Sequence, residues 1–265
     1  RISSPMVHFP LTPDHLADQE AREALAIEQI KRAVHEEGDD ICALILENIQ
    51  SEGGDNHFRE EFLIRLRELA DEHEFLLIHD EVQVGMGATG QIWSHENFSE
   101  KARPDIVAFG KKMQVCGILC SRRVEEVEHN VFNVASRINS TWGGNLVDMV
   151  RADKIMQIIE EDNLLDNVRS SGGYLLEHLE ALQAEFPPLN NARGRGVICS
   201  IDLPSGHQRN EFIQRGRHKN VLFLGCGEKS IRFRPALTIG KDDNDKCVAA
   251  MKENLHQIGL DPSPN

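Results

Sequence analysis

Phe75-Leu-Leu-Ile-His-Asp-Glu-Val-Gln83 is followed, after a glycine-rich stretch, by Pro104-Asp-Ile-Val-Ala-Phe-Gly-Lys111. Each is a short apolar run that ends on an ionisable side chain, Asp80 in the first and Lys111 in the second. Apolar runs of this length bounded by turn residues read as strands buried on both faces. In an open α/β sheet, ligands bind outside the carboxyl ends of the strands, so Asp80 and Lys111 are predicted to face one crevice. A third apolar run, Asp40 to Leu46, ends on Glu47-Asn-Ile-Gln-Ser-Glu52, with Gly53-Gly54 immediately after. Three consecutive strand ends thus carry charge.

Around these runs, helical and strand patterns alternate, the signature of βαβ units on a parallel sheet. Helices are predicted from Pro13 to about Glu36 and from Arg59 to Glu72, the latter with Phe62, Leu63, Leu66 and Leu69 on one face. Val115 to Cys120 reads as a further strand. From Asn145 a long helical pattern leaves the sheet; a second helix follows over Gly173 to Phe186. Strands are then expected at Val197 to Leu203, Val221 to Leu224 and Ser230 to Phe233, with a closing helix from Asp242 to Ile258. The chain divides on this reading into residues 1–150, a large sheet domain, and residues 151–265, a smaller α/β domain.

Composition narrows the function classes. The 265 residues carry a net charge of −14, with pI near 5.3, which disfavours a phosphate backbone or an anionic membrane surface as partner. No apolar run approaches the roughly 18 residues of a membrane span, and Arg1-Ile-Ser-Ser-Pro5 does not have the form of a signal peptide. The six cysteines are scattered and mostly inside apolar segments, as in a reduced, cytoplasmic protein. Cysteines and histidines show no metal-ligand spacing, so no metal is expected. The opening stretch, without Met and with Pro5, Pro10 and Pro13, reads as a loop cut from a longer chain.

Gly85-Met-Gly-Ala-Thr-Gly90 matches the dinucleotide fingerprint GxGxxG. That fingerprint requires its glycines at the turn from strand to helix, whereas Asp80 to Val84 intervene after the strand and Gln91-Ile-Trp-Ser-His95 has no apolar helical face. A mobile glycine turn is the expected reading, and a nicotinamide-dependent oxidoreductase the alternative from another class. Taken alone, Asp80 is a loop acid or a helix cap and Lys111 a surface lysine. Taken together at the ends of buried strands, they suit pyridoxal phosphate, in which a lysine holds the aldehyde as a Schiff base and a carboxylate partners the pyridinium nitrogen.

Ile78-His-Asp-Glu-Val-Gln-Val-Gly-Met-Gly-Ala-Thr-Gly90, Glu47-Asn-Ile-Gln-Ser-Glu-Gly-Gly-Asp-Asn-His-Phe58 and Pro104 to Lys111 resemble the signature segments of class III (subgroup II) pyridoxal phosphate aminotransferases. Phe109 to Gly117, Asn139-Ser-Thr-Trp-Gly-Gly-Asn145 and Ile231-Arg-Phe-Arg-Pro235 are most similar to the branch acting on the ε-amino group of L-lysine. The resemblance runs from about Pro5 to the end. It implies an α/β chain of the pyridoxal-phosphate-dependent transferase fold type I: the carboxyl-terminal part of a mostly parallel large-domain sheet, then a small α/β domain. It also implies pyridoxal 5'-phosphate as cofactor, L-lysine and 2-oxoglutarate as substrates, and a homodimer.

By the same resemblance Lys111 would carry the cofactor and later move the proton, and Asp80 would keep the ring nitrogen protonated. Gln83 would approach the ring's phenolic oxygen, Glu47 would orient Gln83, and Thr141 would reach the cofactor phosphate across the dimer interface. Arg232 would bind the keto acid's carboxylate, Glu52 would pair with Arg232 while the amine donor is bound, and Arg234 could share the arginine's role. The ordinary reading of the Glu52 and Arg232 motif is a structural ion pair. 4-Aminobutyrate, ornithine or another terminal diamine stay open as donors. The chain departs from the family pattern at Glu47-Asn48, where Glu-Pro is usual, and at Pro235-Ala236, where Pro-Pro is common. The family's phosphate loop and ring-stacking aromatic are expected upstream of Arg1.

Overall fold

The computed structural model describes residues 1–138, 141–219 and 221–263. Pro13–Glu37 forms helix α1, where Pro13 at the first turn forfeits no hydrogen bond and Asp14 favours the positive end of the helix dipole. Strands β1 (Ala43–Leu46), β2 (Ile49–Gln50) and β3 (Asn56–His57) come next, then helix α2 (Glu60–Glu72). Strands β4 (Leu76–Asp80), β5 (Ile106–Phe109) and β6 (Gly117–Cys120) complete the first half. Among the described residues the order in the main sheet is β1-β4-β5-β6, parallel except for the antiparallel edge strand β6. β6 starts later than predicted because Gln114 takes a left-handed φ of 59°, which ends the turn before it.

Leu63, Leu66 and Leu69 of α2 bury against Ala26, Ile27 and Ile30 of α1 and Leu77 of β4. Each leucine contributes roughly 1.5–3 kcal/mol by leaving water. That packing sets α2 flat on β4 and fixes where the strand ends. In register, Asp80 sits beside Ala108 of β5, so only Phe109 and Gly110 separate that level from Lys111.

Helix α3 (Leu146–Glu161) leads from the first half to the second, and the expected division at residue 150 falls inside it. Asn163, left-handed at φ 50°, turns the chain into α4 (Leu164–Glu185). α4 begins well before the predicted Gly173: Ser170-Ser171-Gly172-Gly173 reads as a break by propensity, yet it lies inside the helix, where burial of Ser171 and Gly172 overrides propensity. Then come β7 (Asn190–Arg195), β8 (Ile198–Asp202), α5 (Gly206–Gly216), β9 (Leu224–Cys226), β10 (Ser230–Phe233) and α6 (Lys241–Gln257). The second sheet is antiparallel in the order β7-β8-β10-β9. Its core joins Leu175, Leu179 and Leu182 of α4 to Ile201, Phe212 and Met251.

β7 and α5 have no counterpart in the sequence reading, because Asn190-Asn-Ala-Arg-Gly-Arg195 lacks apolar alternation and Gly206 to Gly216 is largely polar. β9 lies a few residues beyond the predicted Val221 to Leu224. The glycine turn, expected to be mobile, is instead packed between the two halves. Residues from Val84 to Gly90 are buried, and Val197 donates its N–H to the Ala88 carbonyl at 3.0 Å. A Cβ on Gly90 would meet Arg169 Cγ at 2.6 Å, and one on Gly87 would meet Leu237 at 3.1 Å. These glycines allow close packing against Arg169 of α4 and Leu237 after β10. The chain bends through Trp93 into the short turn Ser94–Asn97, so no helix N-terminus stands where a dinucleotide pyrophosphate would need one.

Candidate active site

Glu47, Asp80 and Lys111 follow the carboxyl ends of the adjacent strands β1, β4 and β5, and the charges of Asp80 and Lys111 both act on Glu47. Asp80 accepts from the N–H of Val82 at 3.1 Å, a local turn that fixes the carboxylate at the strand end. Lys111 is exposed, takes φ 46° after the fully extended Gly110, and its charge is felt by both Glu47 and Glu52. Glu47 accepts from Ser51 N–H at 3.0 Å. Burial raises its carboxyl above the ordinary range, and the negative field of Asp80 adds to that.

One residue beyond Asp80, Glu81 is buried and accepts from Asn48 Nδ2 at 3.2 Å, His95 N at 2.7 Å and His95 Nδ1 at 2.8 Å, as well as from Ser94 N. A carboxylate holding that many donors anchors the segment from Glu81 to His95, which carries Gln83. Asn48 is the departure from the Glu-Pro pattern, and its amide supplies one of those donors, which a proline could not. Lys112 is largely buried; that burial lowers its amine to about 8, and Arg234 and Lys111 push the same way. Of the two adjacent lysines, only Lys111 is open to the crevice.

At the mouth, Arg232 Nη1 donates to Glu52 Oε2 at 2.7 Å. The Arg232 side chain is 13% exposed and that of Glu52 is 70% exposed, so the carboxylate is the partner free to swing. Hydrogen bonds from Arg232, chiefly, and from Gln83 hold the Glu52 carboxyl below its usual range. Gln83 is close enough to Glu52 to lower it, and it makes no hydrogen bond to Glu47 among the described residues. Arg232 Nε is buried with no hydrogen-bond partner among the described residues, which leaves a donor unused beside the gate.

Arg234 does not share that position. Its two terminal nitrogens grip the carboxylate of Asp55, Nη1 at 2.9 Å from Oδ2 and Nη2 on Oδ1. Asp55 is buried, and burial raises its carboxyl against the opposing pull of Arg234 and Arg193. Sequence reasoning passed over Asp55 and Arg193; the run Gly53-Gly54-Asp55 and the charged, glycine-containing run Ala192-Arg-Gly-Arg-Gly196 were the available signals. Thr141 is exposed in the turn before α3, with no hydrogen bond to the crevice among the described residues. Asn139 and Ser140 of the same motif lie outside the described residues.

The donor set fits pyridoxal phosphate: an accessible amine, a carboxylate at the adjacent strand end, and an amide beside it. A mostly parallel sheet whose carboxyl edge carries such groups, followed by a second, antiparallel sheet, is consistent with fold type I of the pyridoxal-phosphate-dependent enzymes. The chain belongs to the class III aminotransferases, whose family profile matches residues 2–255. It is 44% identical over 261 residues to the L-lysine-epsilon aminotransferase of Amycolatopsis lactamdurans, covering 98% of this chain and 57% of that protein. It is also 44% identical over 260 residues to the one of Streptomyces clavuligerus, covering 97% of this chain and 56% of that protein. The solved lysine aminotransferase of Mycobacterium tuberculosis superposes with a TM-score of 0.93 at 44% identity, over 97% of this chain and 58% of that one. The chain therefore spans a little over half the length of these relatives.

Proposed function

We propose that the protein this chain represents transfers the ε-amino group of L-lysine to 2-oxoglutarate, giving 2-aminoadipate 6-semialdehyde and glutamate. The observation that carries this reading is the Glu52 and Arg232 pair, 2.7 Å apart at the mouth of the crevice that holds Asp80, Gln83 and Lys111. Pyridoxal phosphate, when bound, supplies an aldehyde that captures amines and a ring that accepts the electron pair left when the neighbouring C–H bond breaks.

In this reading the Lys111 amine would hold the cofactor and, once displaced by the donor's amine, would carry the proton from the substrate carbon to the cofactor carbon that bore the aldehyde. Asp80 keeps the ring nitrogen protonated. Gln83 would approach the ring's phenolic oxygen, with the half-buried Glu47 beside it to orient it. Arg232 recognises a carboxylate of 2-oxoglutarate with a planar fork of donors. When lysine enters through its ε-amine, Glu52 closes on Arg232 and spares the site an unpaired cation.

A homodimer is part of the reading. Trp142, Leu146, Val147 and Val150 are exposed beside Thr141, an apolar face of the kind that subunits cover, and it would bring Thr141 to the partner's cofactor phosphate. All six cysteines are free thiols, which supports a reducing, cytoplasmic setting. No helix among the described residues is long and apolar enough to cross a membrane.

Borohydride reduction of the purified protein followed by peptide mass spectrometry tests the assignment. A pyridoxyl adduct on Lys111, absent in Lys111→Ala, is expected. An adduct on Lys112 or on no lysine overturns it. Comparison of kcat/KM for L-lysine, ornithine and 4-aminobutyrate, with 2-oxoglutarate as acceptor, tests the donor: lysine is expected to lead by tenfold or more, about 1.4 kcal/mol in the transition state.

A further inference from the structure

The turn that carries Glu52 is fastened to residues of the second sheet and its turns at three backbone oxygens. Gly227 N–H donates to the Glu52 carbonyl at 2.9 Å. Arg193 Nε donates to the Asp55 carbonyl at 3.0 Å, and Arg193 Nη2 donates to the Gly54 carbonyl. The fit is tight as well as bonded: a Cβ on Gly227 would lie 2.8 Å from Gly54 Cα.

Arg193 is 2% exposed, which is rare for a guanidinium and requires that its donors be satisfied. They are. Besides the two turn carbonyls, Nη1 donates to the Asn191 carbonyl at 2.6 Å and to Asp202 Oδ1 at 2.9 Å, and Nη2 donates to Ser230 Oγ at 3.0 Å. Ser230 in turn donates to Asp202 Oδ1 at 2.6 Å. Nothing in the transfer chemistry uses this side chain, yet it joins β7, β8 and β10 to the one loop that bears the gating carboxylate.

We propose that Arg193 is a positioning residue for substrate selection: it immobilises the backbone of the Ser51–Asp55 turn, so that the Glu52 side chain alone moves when the site changes from amine donor to dicarboxylate acceptor. The proposal rests on the reading of Glu52 and Arg232 as the gate. A rigid pivot matters because Glu52 competes with the substrate's carboxylate for Arg232. A turn that wanders weakens that internal competitor. The amine-donor half-reaction then suffers, since Arg232 faces the donor unpaired, while a dicarboxylate meets less competition.

The test uses Arg193→Lys in the cofactor-loaded protein. A lysine keeps the charge but offers three donors from one point, which cannot serve this planar set of acceptors. In single-turnover measurements the donor half-reaction is expected to show KM for lysine raised about tenfold, while KM in the 2-oxoglutarate half-reaction falls up to about threefold. Glutarate, a dicarboxylate without a reacting carbonyl, is expected to bind about threefold more tightly by calorimetry, as weaker competition requires. Equal losses in both half-reactions, or weaker glutarate binding, overturn the proposal and leave Arg193 a structural residue.

Glu52→Gln separates the two readings. If it shows no difference between half-reactions, the gate itself is wrong. If Glu52→Gln is selective and Arg193→Lys is not, only the positioning role fails. Should Arg193→Lys fail to fold, Ser230→Ala removes one of the supports of Arg193; a smaller rise in KM confined to the donor half-reaction, about threefold, supports the proposal, and a rise shared by both halves overturns it.

Discussion

Gly172 of α4 and Gly196 of the β7–β8 turn meet so closely that a Cβ on Gly172 would lie 2.0 Å from the Gly196 carbonyl oxygen. On its other side Gly196, at φ 55°, would drive a Cβ to within 2.6 Å of the Ala88 carbonyl oxygen. The hairpin turn is therefore pressed between α4 and the glycine turn of the first half, with no room for a methyl group on either face.

Gly172→Ala is expected to force α4 away from the hairpin and destabilise the protein by roughly 1–3 kcal/mol or more, the usual range for overpacking against atoms that cannot yield. Backbone offers less relief than a side chain. Denaturant unfolding of the parent and the variant checks this; a loss under about 0.5 kcal/mol, the level of an ordinary surface change, contradicts the contact.

The two arginines of β10 and its exit are expected to behave differently. Arg232→Gln removes a charged fork from an exposed partner, so thermal stability stays near the parent while KM for 2-oxoglutarate rises about 10- to 100-fold, from roughly 1.5–3 kcal/mol of charge-assisted hydrogen bonding. Arg234→Gln leaves Asp55 buried without its cation, and breaking such a pair costs about 3–5 kcal/mol. Thermal unfolding and steady-state kinetics on the two variants read the contrast directly. Equal melting temperatures would show that Asp55 does not depend on Arg234.

Acid sensitivity follows from two buried imidazoles. Burial lowers His57 and His79 to about 3 from an ordinary 6.5. Between those values the folded protein keeps both rings neutral while the unfolded chain binds protons, so stability is intact above about 6.5 and falls as pH drops through the window, by about 1.4 kcal/mol per pH unit for each ring. Both ring nitrogens of His79 lack partners among the described residues, and Leu77 shares its buried face. His79→Leu is expected to be near neutral at pH 8 and to gain on the parent by roughly 1–2 kcal/mol between pH 7 and pH 5. A gap that does not widen on acidification rules out His79 as a source of the slope.

Local pattern carried much of this protein. The apolar runs before Asp80 and Lys111 are strands, as expected, and their parallel pairing presents those ends on one edge, but only alternate residues of β4 and Val107 of β5 are buried rather than both faces. α1 and α2 were legible for a similar reason, since a face repeating every three to four residues has one stable way to bury itself. β7 was not, because its polar, glycine-containing residues are held by a buried arginine rather than by apolar alternation.

The chain's own order of residues settled the strand ends, the charges they carry and the family motifs, because those depend on neighbours a few positions apart. Tertiary structure alone decided that Arg234 takes Asp55 and leaves Arg232 to Glu52, that Arg193 reaches a turn 138 residues away, and that the fingerprint-like glycines pack against Arg169 and Leu237. Partners of that kind are chosen when two sheets close on each other, where space and unpaired donors select the contact. No local periodicity records that choice.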